Sequence, residues 1–114
     1  MSYSIGIDYG TASGRVFLIN TTNGQVVSKF VKPYTHGVIE SELNGLKIPH
    51  TYALQNSNDY LEIMEEGISY IVRESKIDPD NIVGIGIDFT SSTIIFTDEN
   101  LNPVHNLKQF KNNP

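Results

Sequence analysis

The tetrapeptide Ile-Gly-Ile-Asp occurs twice in this chain of 114 residues, at positions 5–8 and 85–88. Each copy is a short apolar segment that ends in aspartate before a small polar turn, which is typical of a strand that ends at a sheet edge. A helical pattern lies between the copies. A strand, a crossover helix and a second strand favour parallel pairing, so both aspartates are expected at the same edge. Ligands of α/β sheets gather at the carboxyl ends of strands, which predicts a cleft there.

Residues 57–76 give the clearest helical pattern of the chain. Ser57 or Asn58 is available as the N-cap, and Asp78-Pro79 is expected to end the helix. The side chains predicted to pack against the core share one stripe, which consists of Leu61, Met64, Ile68, Ile71 and Val72.

Strand patterns surround this helix. An antiparallel meander is predicted over residues 2–8, 16–19 and 25–32, with Asn23-Gly24 as a turn and a bulge or two-sided burial to explain the adjacent valines of the third strand. Residues 82–88 predict a central strand buried on both faces, and residues 94–97 a returning strand. The prolines, glycines and histidines of residues 33–56 indicate a long loop, whose histidines have no metal-site spacing. The predicted fold is therefore α/β, with a mixed five-stranded sheet and one crossover helix.

The turn after the first strand contains phosphate-binding chemistry. Gly10 permits a backbone turn that a residue with a Cβ would resist, and the hydroxyls of Thr11 and Ser13 add donors beside unpaired backbone amides. Asp8 would repel phosphate directly, but it can hold a hydrated Mg²⁺ through the water ligands of the ion. Arg15 offers a planar donor fork to phosphate oxygens. On chemistry alone an ordinary polar hairpin turn explains these residues equally well.

The turn after the second Ile-Gly-Ile-Asp copy carries four hydroxyls at residues 90–93. These hydroxyls can hydrogen-bond a polyol, and a plain Ser/Thr-rich turn is the alternative. The nearby Gly84-Ile85-Gly86 lacks the third glycine of a dinucleotide-binding motif and is better explained by close strand packing.

Composition excludes several function classes. A net charge of -5 argues against a nucleic-acid or anionic-membrane partner, which would require a basic surface. Without cysteine there is no disulfide or thiolate metal site, and no segment has the length and apolarity of a membrane span or export signal. We therefore expect a cytoplasmic protein.

The tract D-Y-G-T-A-S-G-R at residues 8–15, followed by G-I-G-I-D-F-T-S-S-T at residues 84–93, resembles the FGGY carbohydrate kinases, and among them most closely the ribulokinase branch. The resemblance covers essentially the whole chain and implies the actin-like ATPase (ribonuclease H-like) fold. It implies ATP and Mg²⁺ as cofactors and a sugar as substrate. In the first motif, Asp8 would hold Mg²⁺ through water. The residues that would contact phosphate are Gly10, Thr11, Ser13 and Arg15.

In the second motif, alignment on the glycine-rich strand gives Ser91 and Ser92 as the residues that would contact the sugar. Many relatives carry larger residues there, which implies a different pocket in this chain.

The same resemblance implies that residues 1–114 are the N-terminal part of the first kinase domain. The remainder of the polypeptide would supply the catalytic base and the adenosine site, so no catalytic residue is expected in this chain, and Asp8 and Asp88 are not favoured as the base. The implied reaction is ATP-dependent phosphorylation of a ketopentose, L-ribulose to L-ribulose 5-phosphate, in arabinose catabolism.

Three alternatives remain: a xylulose-type or other kinase of the family, a non-enzymatic actin-like nucleotide-binding module, or a small stand-alone binding domain. The fragment alone is expected to be inactive. Pairing through open sheet edges, and hence a homo-oligomer, stays open.

Overall fold

A mixed sheet of four strands forms the centre of the computed structural model, which describes residues 1–91 and 93–110. The order across this sheet is β3-β2-β1-β8, with β8 parallel to β1 and the other pairs antiparallel. The elements, in chain order, are β1 (Tyr3–Tyr9), β2 (Ser13–Asn20), β3 (Val26–Pro33), β4 (Val38–Ile39), β5 (Glu42–Leu43), β6 (Leu46–Lys47), β7 (Leu54–Gln55), α1 (Asn58–Ser75) and β8 (Ile82–Phe89).

The two Ile-Gly-Ile-Asp copies lie side by side in exact register. Ile5 pairs with Ile85, Gly6 with Gly86, Ile7 with Ile87 and Asp8 with Asp88. The predicted parallel pairing is confirmed, and α1 provides the crossover between the strands. Both aspartates therefore reach the same edge of the sheet.

The core lies between one face of the sheet and α1. Ile5 and Ile7 of β1 and Val16 and Leu18 of β2 are buried there, as their period-two spacing predicts. Each such side chain contributes roughly 1.5–3 kcal/mol on burial.

The helix approaches the sheet closely at two glycines. A Cβ on Gly14 would lie 2.7 Å from Ile63 Cγ2, and a Cβ on Gly67 would overlap Val16 Cγ2. Both glycines therefore serve packing, and they set the spacing between α1 and β2.

The stripe predicted for α1 was partly wrong. The buried side chains of the helix, apart from Asp59 near its start, are Ile63 and Ile71, with Gly67 between them, while Leu61 is 55% exposed. Leu61 precedes Ile63 by two residues, which turns it roughly 200° around the helix and away from the sheet. Ile71 of the predicted stripe lies in the core, and Met64, Ile68 and Val72 pack at its border.

The helix begins at the predicted position, with Ser57 before its first residue. Ser57 occupies the N-cap position but makes no side-chain capping bond, and its hydroxyl lies 2.7 Å from Nε2 of His105. The Asn58 amide instead donates to Oδ1 of Asn56 at 3.0 Å. At the other end, Lys76 adopts a left-handed conformation, and the helix stops before Asp78-Pro79 as predicted.

The prediction that β8 is buried on both faces was wrong. Ile85, Ile87 and Phe89 are 55%, 51% and 66% exposed, although they point to the same face of the sheet as the core residues of β1. The helix packs mainly over β2 and β3, and within the described residues β8 is exposed beyond Ile82, which packs against the core. An apolar strand is therefore left as an open edge within the described part of the chain.

The returning strand predicted at residues 94–97 does not form either. Within residues 93–97 the only ladder contact described is an isolated bridge from Thr97 to Pro103, and Ile94 and Phe96 are more than 70% exposed. This segment does not pair with the open edge of β8, so the sheet has four strands rather than the five predicted.

A bulge in β3 explains the adjacent valines. The pairing with β2 shifts between Leu18 and Ile19, whose partners are Ser28 and Val26, so Val27 is the extra residue. Val26 and Val27 are about half exposed, which excludes the alternative of two-sided burial.

The segment predicted as a loop contains two small ladders. β4 pairs with β7, and β5 pairs with β6. The segment is attached to α1 near its start, where Nδ1 of His36 lies 2.6 Å from Oδ1 of the buried Asp59 and the His36 amide donates to Oδ2 of Asp59 at 3.1 Å. No helix among residues 1–91 and 93–110 is long and apolar enough to cross a membrane.

A charged cluster joins the end of β3 to α1. The Glu62 carboxylate accepts a hydrogen bond from Thr35 at 2.6 Å and lies 3.3 Å from Nζ of Lys32, which also contacts Glu66 at 2.7 Å. The Thr35 hydroxyl, followed by Lys32, lowers the pKa of Glu62 below its ordinary value of 4.5. The ionised form is therefore favoured by folding.

Glu62→Gln is expected to lower the thermal-unfolding midpoint at neutral pH. Since the pKa of Glu62 is lowered in the folded state, its contribution is present above pH 4.5 and is lost as the pH falls through the folded pKa. The difference between wild type and variant should therefore shrink in acid, as measured by melting curves between about pH 3 and pH 7. Glu74→Gln, which changes an exposed residue of the same helix, is the control and should show no such trend. A difference that grows in acid would contradict this assignment.

Candidate phosphate-binding site

Asp8 and Arg15 face each other across the first hairpin. They are paired residues of β1 and β2, and Nη1 of Arg15 donates to Oδ2 of Asp8 at 3.0 Å. Both side chains are about 40% exposed. An ion pair at such exposure is worth only about 0.2–1 kcal/mol, so either partner can exchange it for a ligand at small cost. Arg15 also offsets the repulsion that Asp8 alone would exert on an anion.

Gly10 is required by space and not by backbone conformation. Its φ lies outside the left-handed region, so the predicted resistance of this turn to a Cβ comes from lack of space. A Cβ at this position would lie 3.0 Å from the Ser13 carbonyl oxygen and 3.5 Å from Nη1 of Arg15. The Gly10 amide donates to that same carbonyl at 2.9 Å, which closes the turn tightly.

Three successive backbone carbonyls of the turn accept hydrogen bonds from residues outside the turn. The Gly10 carbonyl accepts from the Tyr34 hydroxyl at 2.7 Å, and the Ala12 carbonyl accepts from the Tyr34 amide at 3.0 Å. The Thr11 carbonyl accepts from Nε2 of Gln55 at 3.0 Å. The Thr11 and Ala12 amides, by contrast, donate to no acceptor among the described residues, and both residues are exposed. The turn therefore presents two backbone N–H donors to solvent.

A cluster of three tyrosines, Tyr9, Tyr34 and Tyr60, lies next to the first turn. The Tyr60 ring makes edge contacts with Tyr9 and Tyr34, with centroids 5.3 and 5.5 Å apart. The Tyr9 hydroxyl donates to the Tyr60 carbonyl at 2.8 Å, and the Tyr60 hydroxyl bonds Oε1 of Gln55. Burial, followed by the neighbouring Tyr60 and Tyr9, raises the pKa of Tyr34 to about 12. Its hydroxyl therefore remains a donor throughout the physiological range.

One cavity of about 400 Å³ brings the two predicted turns together. Thr11 of the first turn lines it with Thr90 and Thr93 of the second, and Gln55 and Tyr60 lie at its wall. Ser91 follows β8 in the second turn and is exposed, and Ser92 lies outside the described residues. The structure thus brings the first turn to the hydroxyl-rich turn and leaves the proposed contacts of Ser91 and Ser92 as predictions.

Asp8 and Asp88 line a shallow groove on the sheet face opposite α1. Gly6 and Gly86 form its floor, which leaves room beside both carboxylates. Within residues 1–91 and 93–110 no three acidic or histidine side chains gather as a protein cage for a metal. Mg²⁺ keeps several of its waters and takes only one or two carboxylates, so the half-exposed Asp8 fits a hydrated ion of this kind.

Sequence reasoning missed Tyr34 and Gln55. Tyr34 follows β3 directly and Gln55 ends β7, so both come from the part of the chain predicted as a loop. Their side chains meet the first turn only in the folded chain. The one available signal was the occurrence of six tyrosines in a chain without tryptophan, three of which converge here.

Comparison with known families decides the class of the chain. The model of the N-terminal domain of the FGGY family of carbohydrate kinases matches residues 3–113. The chain belongs to this family. Membership in the FGGY family agrees with the mixed α/β sheet described above and confirms the actin-like ATPase fold predicted for the chain.

Individual FGGY relatives are very similar over the full chain. A ribulokinase of Staphylococcus aureus strain Mu3 is 99% identical over all 114 residues, and ribulokinase 2 of Staphylococcus saprophyticus is 60% identical over the same length. In both cases the match covers 21% of the relative's own length. The chain therefore spans about a fifth of the curated relatives that it matches.

Proposed function

We propose that the chain is the N-terminal part of the first domain of a kinase that transfers a phosphoryl group from ATP to a ketopentose, with L-ribulose as the favoured substrate. The observation that carries the proposal is that one cavity is lined both by Thr11 of the first turn and by Thr90 and Thr93 of the hydroxyl-rich turn. A phosphoryl donor and a polyol acceptor must meet in such a space. The names of the similar relatives support L-ribulose as the sugar.

Each residue of the first turn has a definite part in the proposal. When bound, Mg²⁺-ATP supplies the phosphoryl group and a cation that neutralises its charge. Asp8 holds water ligands of that cation, and Arg15 directs its remaining donors to phosphate oxygens. The turn from Gly10 to Ser13 donates backbone and hydroxyl hydrogen bonds to the same oxygens.

The second turn is proposed to bind the sugar. Ser91 and Ser92 would hydrogen-bond its hydroxyls, and their small side chains leave room for a bulky polyol or for ordered water. The general base that removes the proton from the attacking hydroxyl is proposed to come from the rest of the longer protein. The use of ATP also favours a cytoplasmic location.

A xylulose-type kinase is the nearest alternative, since it would use the same two turns. A non-enzymatic actin-like nucleotide-binding module would have no use for a hydroxyl-rich turn on the same cavity as the phosphate turn, so the shared cavity favours a kinase.

The test is a coupled assay of ADP release by the full-length protein that contains this segment. L-ribulose is expected to give the highest kcat/KM among L-ribulose, D-ribulose, D-xylulose and glycerol. Preference for D-xylulose would favour the alternative kinase, and release of ADP without dependence on any sugar would refute the proposal. Residues 1–114 alone should show no sugar-dependent turnover, because half of a cleft cannot position both reactants.

A further inference from the structure

We propose that Tyr34 and Gln55 are positioning residues that hold the 10–13 turn in the orientation needed to bind phosphate. The inference rests on the proposed function, since it assigns the phosphate of ATP to this turn. It concerns side chains from two other parts of the chain, the residue after β3 and the end of β7. Neither residue is proposed to touch the phosphate itself.

The geometry of the peptide bond links these side chains to the ligand. In a trans peptide the carbonyl of one residue and the N–H of the next point in opposite directions, and the described chain has no cis peptide. The bonds from Tyr34 to the Gly10 carbonyl and from Gln55 to the Thr11 carbonyl therefore turn the N–H groups of Thr11 and Ala12 away from these two side chains. The hydrogen bond from the Tyr34 backbone N–H to the Ala12 carbonyl orients the N–H of Ser13 in the same way.

These three contacts fix peptide units that would otherwise rotate. Successive N–H groups that converge on one point form an anion-binding site without a charged side chain. Such donors act most strongly when they are oriented before the ligand arrives, because no reorganisation is then needed. An unsupported turn of glycine, threonine and alanine would lose this orientation in many of its conformations.

The supporting side chains are themselves held in place. Tyr34 is only 7% exposed and packs edge-on against Tyr60. Gln55 presents its amide nitrogen to the turn because its oxygen is taken by the Tyr60 hydroxyl. The Tyr60 backbone carbonyl accepts a hydrogen bond from the hydroxyl of Tyr9, which lies at the end of β1. The network therefore connects α1 to the turn through the buried rings of Tyr9 and Tyr34 and the partly buried ring of Tyr60.

The test uses two variants of the full-length protein that contains this segment. Tyr34→Phe removes the bond to the Gly10 carbonyl and keeps the ring, and Gln55→Glu replaces the donor to the Thr11 carbonyl by an oxygen. Each is expected to raise KM for ATP, by about fivefold for Tyr34→Phe and at least tenfold for Gln55→Glu, with KM for the sugar changed less than twofold. Tyr52→Phe is the matched control, because Tyr52 is 42% exposed and its hydroxyl bonds no described residue.

A second readout separates this inference from the proposed function. The dissociation constant of Mg²⁺-ADP, measured by calorimetry, should rise in both variants by the same factors, whereas that of adenosine should not change. Equal rises for ADP and adenosine, or no rise in either variant, would overturn the inference. A wild-type protein that binds Mg²⁺-ADP but phosphorylates no sugar would refute the proposed function alone, and the variants would still decide the inference. A wild type that binds no ADP would overturn both.

Discussion

Asp8→Asn is expected to reduce kcat/KM for sugar phosphorylation in the full-length protein by a factor of about 100 to 1,000. The replacement keeps the shape of the side chain and removes the charge that is proposed to hold the hydrated Mg²⁺. It also removes the partner of Arg15, which lies 3.0 Å away. Because this surface pair is worth at most about 1 kcal/mol, the stability of the protein should change little while the rate falls strongly. Steady-state kinetics at varied Mg²⁺ and ATP would measure the effect.

Asp80→Asn is the matched control for this change. Asp80 is an exposed aspartate in the turn that precedes β8, and its carboxylate bonds no described residue. It should leave kcat/KM within about twofold of wild type. If Asp8→Asn were equally mild, Asp8 would have no part in binding the cation, and the turn would be an ordinary polar hairpin. Saturating Mg²⁺ is expected to restore only part of the lost rate, since Asp8 also orients the ion.

Gly67→Ala is expected to destabilise the protein by about 1–2 kcal/mol. The new Cβ would overlap Val16 Cγ2 and lie 3.0 Å from Cδ1 of Phe30, so the helix must move away from the sheet. Overpacking costs about 1–3 kcal/mol, and the overlap with Val16 Cγ2 favours the upper half of that range, so the cost exceeds the gain of about 1 kcal/mol from replacing glycine by alanine inside a helix. A lower thermal-unfolding midpoint and faster hydrogen exchange across α1 and β2 would show the change.

Gly86→Ala makes the same chemical change where there is room. A Cβ on Gly86 meets nothing within 4 Å among the described residues, and its φ is outside the left-handed region. Alanine should be neutral there or stabilise the strand by up to about 1 kcal/mol. A Gly67→Ala protein as stable as wild type would show that the close approach of α1 to β2 can relax without cost.

Local patterns were enough to predict the part of the fold that carries the site. Strict alternation of large apolar residues with small or polar residues in β1 predicted its buried face. The second Ile-Gly-Ile-Asp copy predicted a parallel neighbour, and the two copies pair residue for residue in the structure. The carboxyl ends of these strands then had to share an edge, so the two polar turns were expected to be close. They line one cavity, as this reasoning requires.

Features that depend on distant partners could not be predicted in the same way. An apolar run such as β8 indicates burial, but whether it is covered depends on elements that pack on it, and within the described residues β8 is exposed beyond Ile82. The face of α1 was misjudged because Gly67 carries no apolar side chain to mark the line of contact. Tyr34 and Gln55 reach the first turn from 24 and 44 positions away in the chain, which no local period can reveal.

The position of the nucleotide phosphates tests the central claim most directly. A crystal structure of the full-length protein with Mg²⁺-ADP is expected to place phosphate oxygens within hydrogen-bonding distance of the Thr11 and Ala12 amides. The Asp8 carboxylate should contact a water ligand of the Mg²⁺ ion, and the Arg15 guanidinium should face the phosphates. Nucleotide bound elsewhere, with the 10–13 turn open to solvent and Asp8 still paired only with Arg15, would contradict the assignment of this hairpin as a phosphate site.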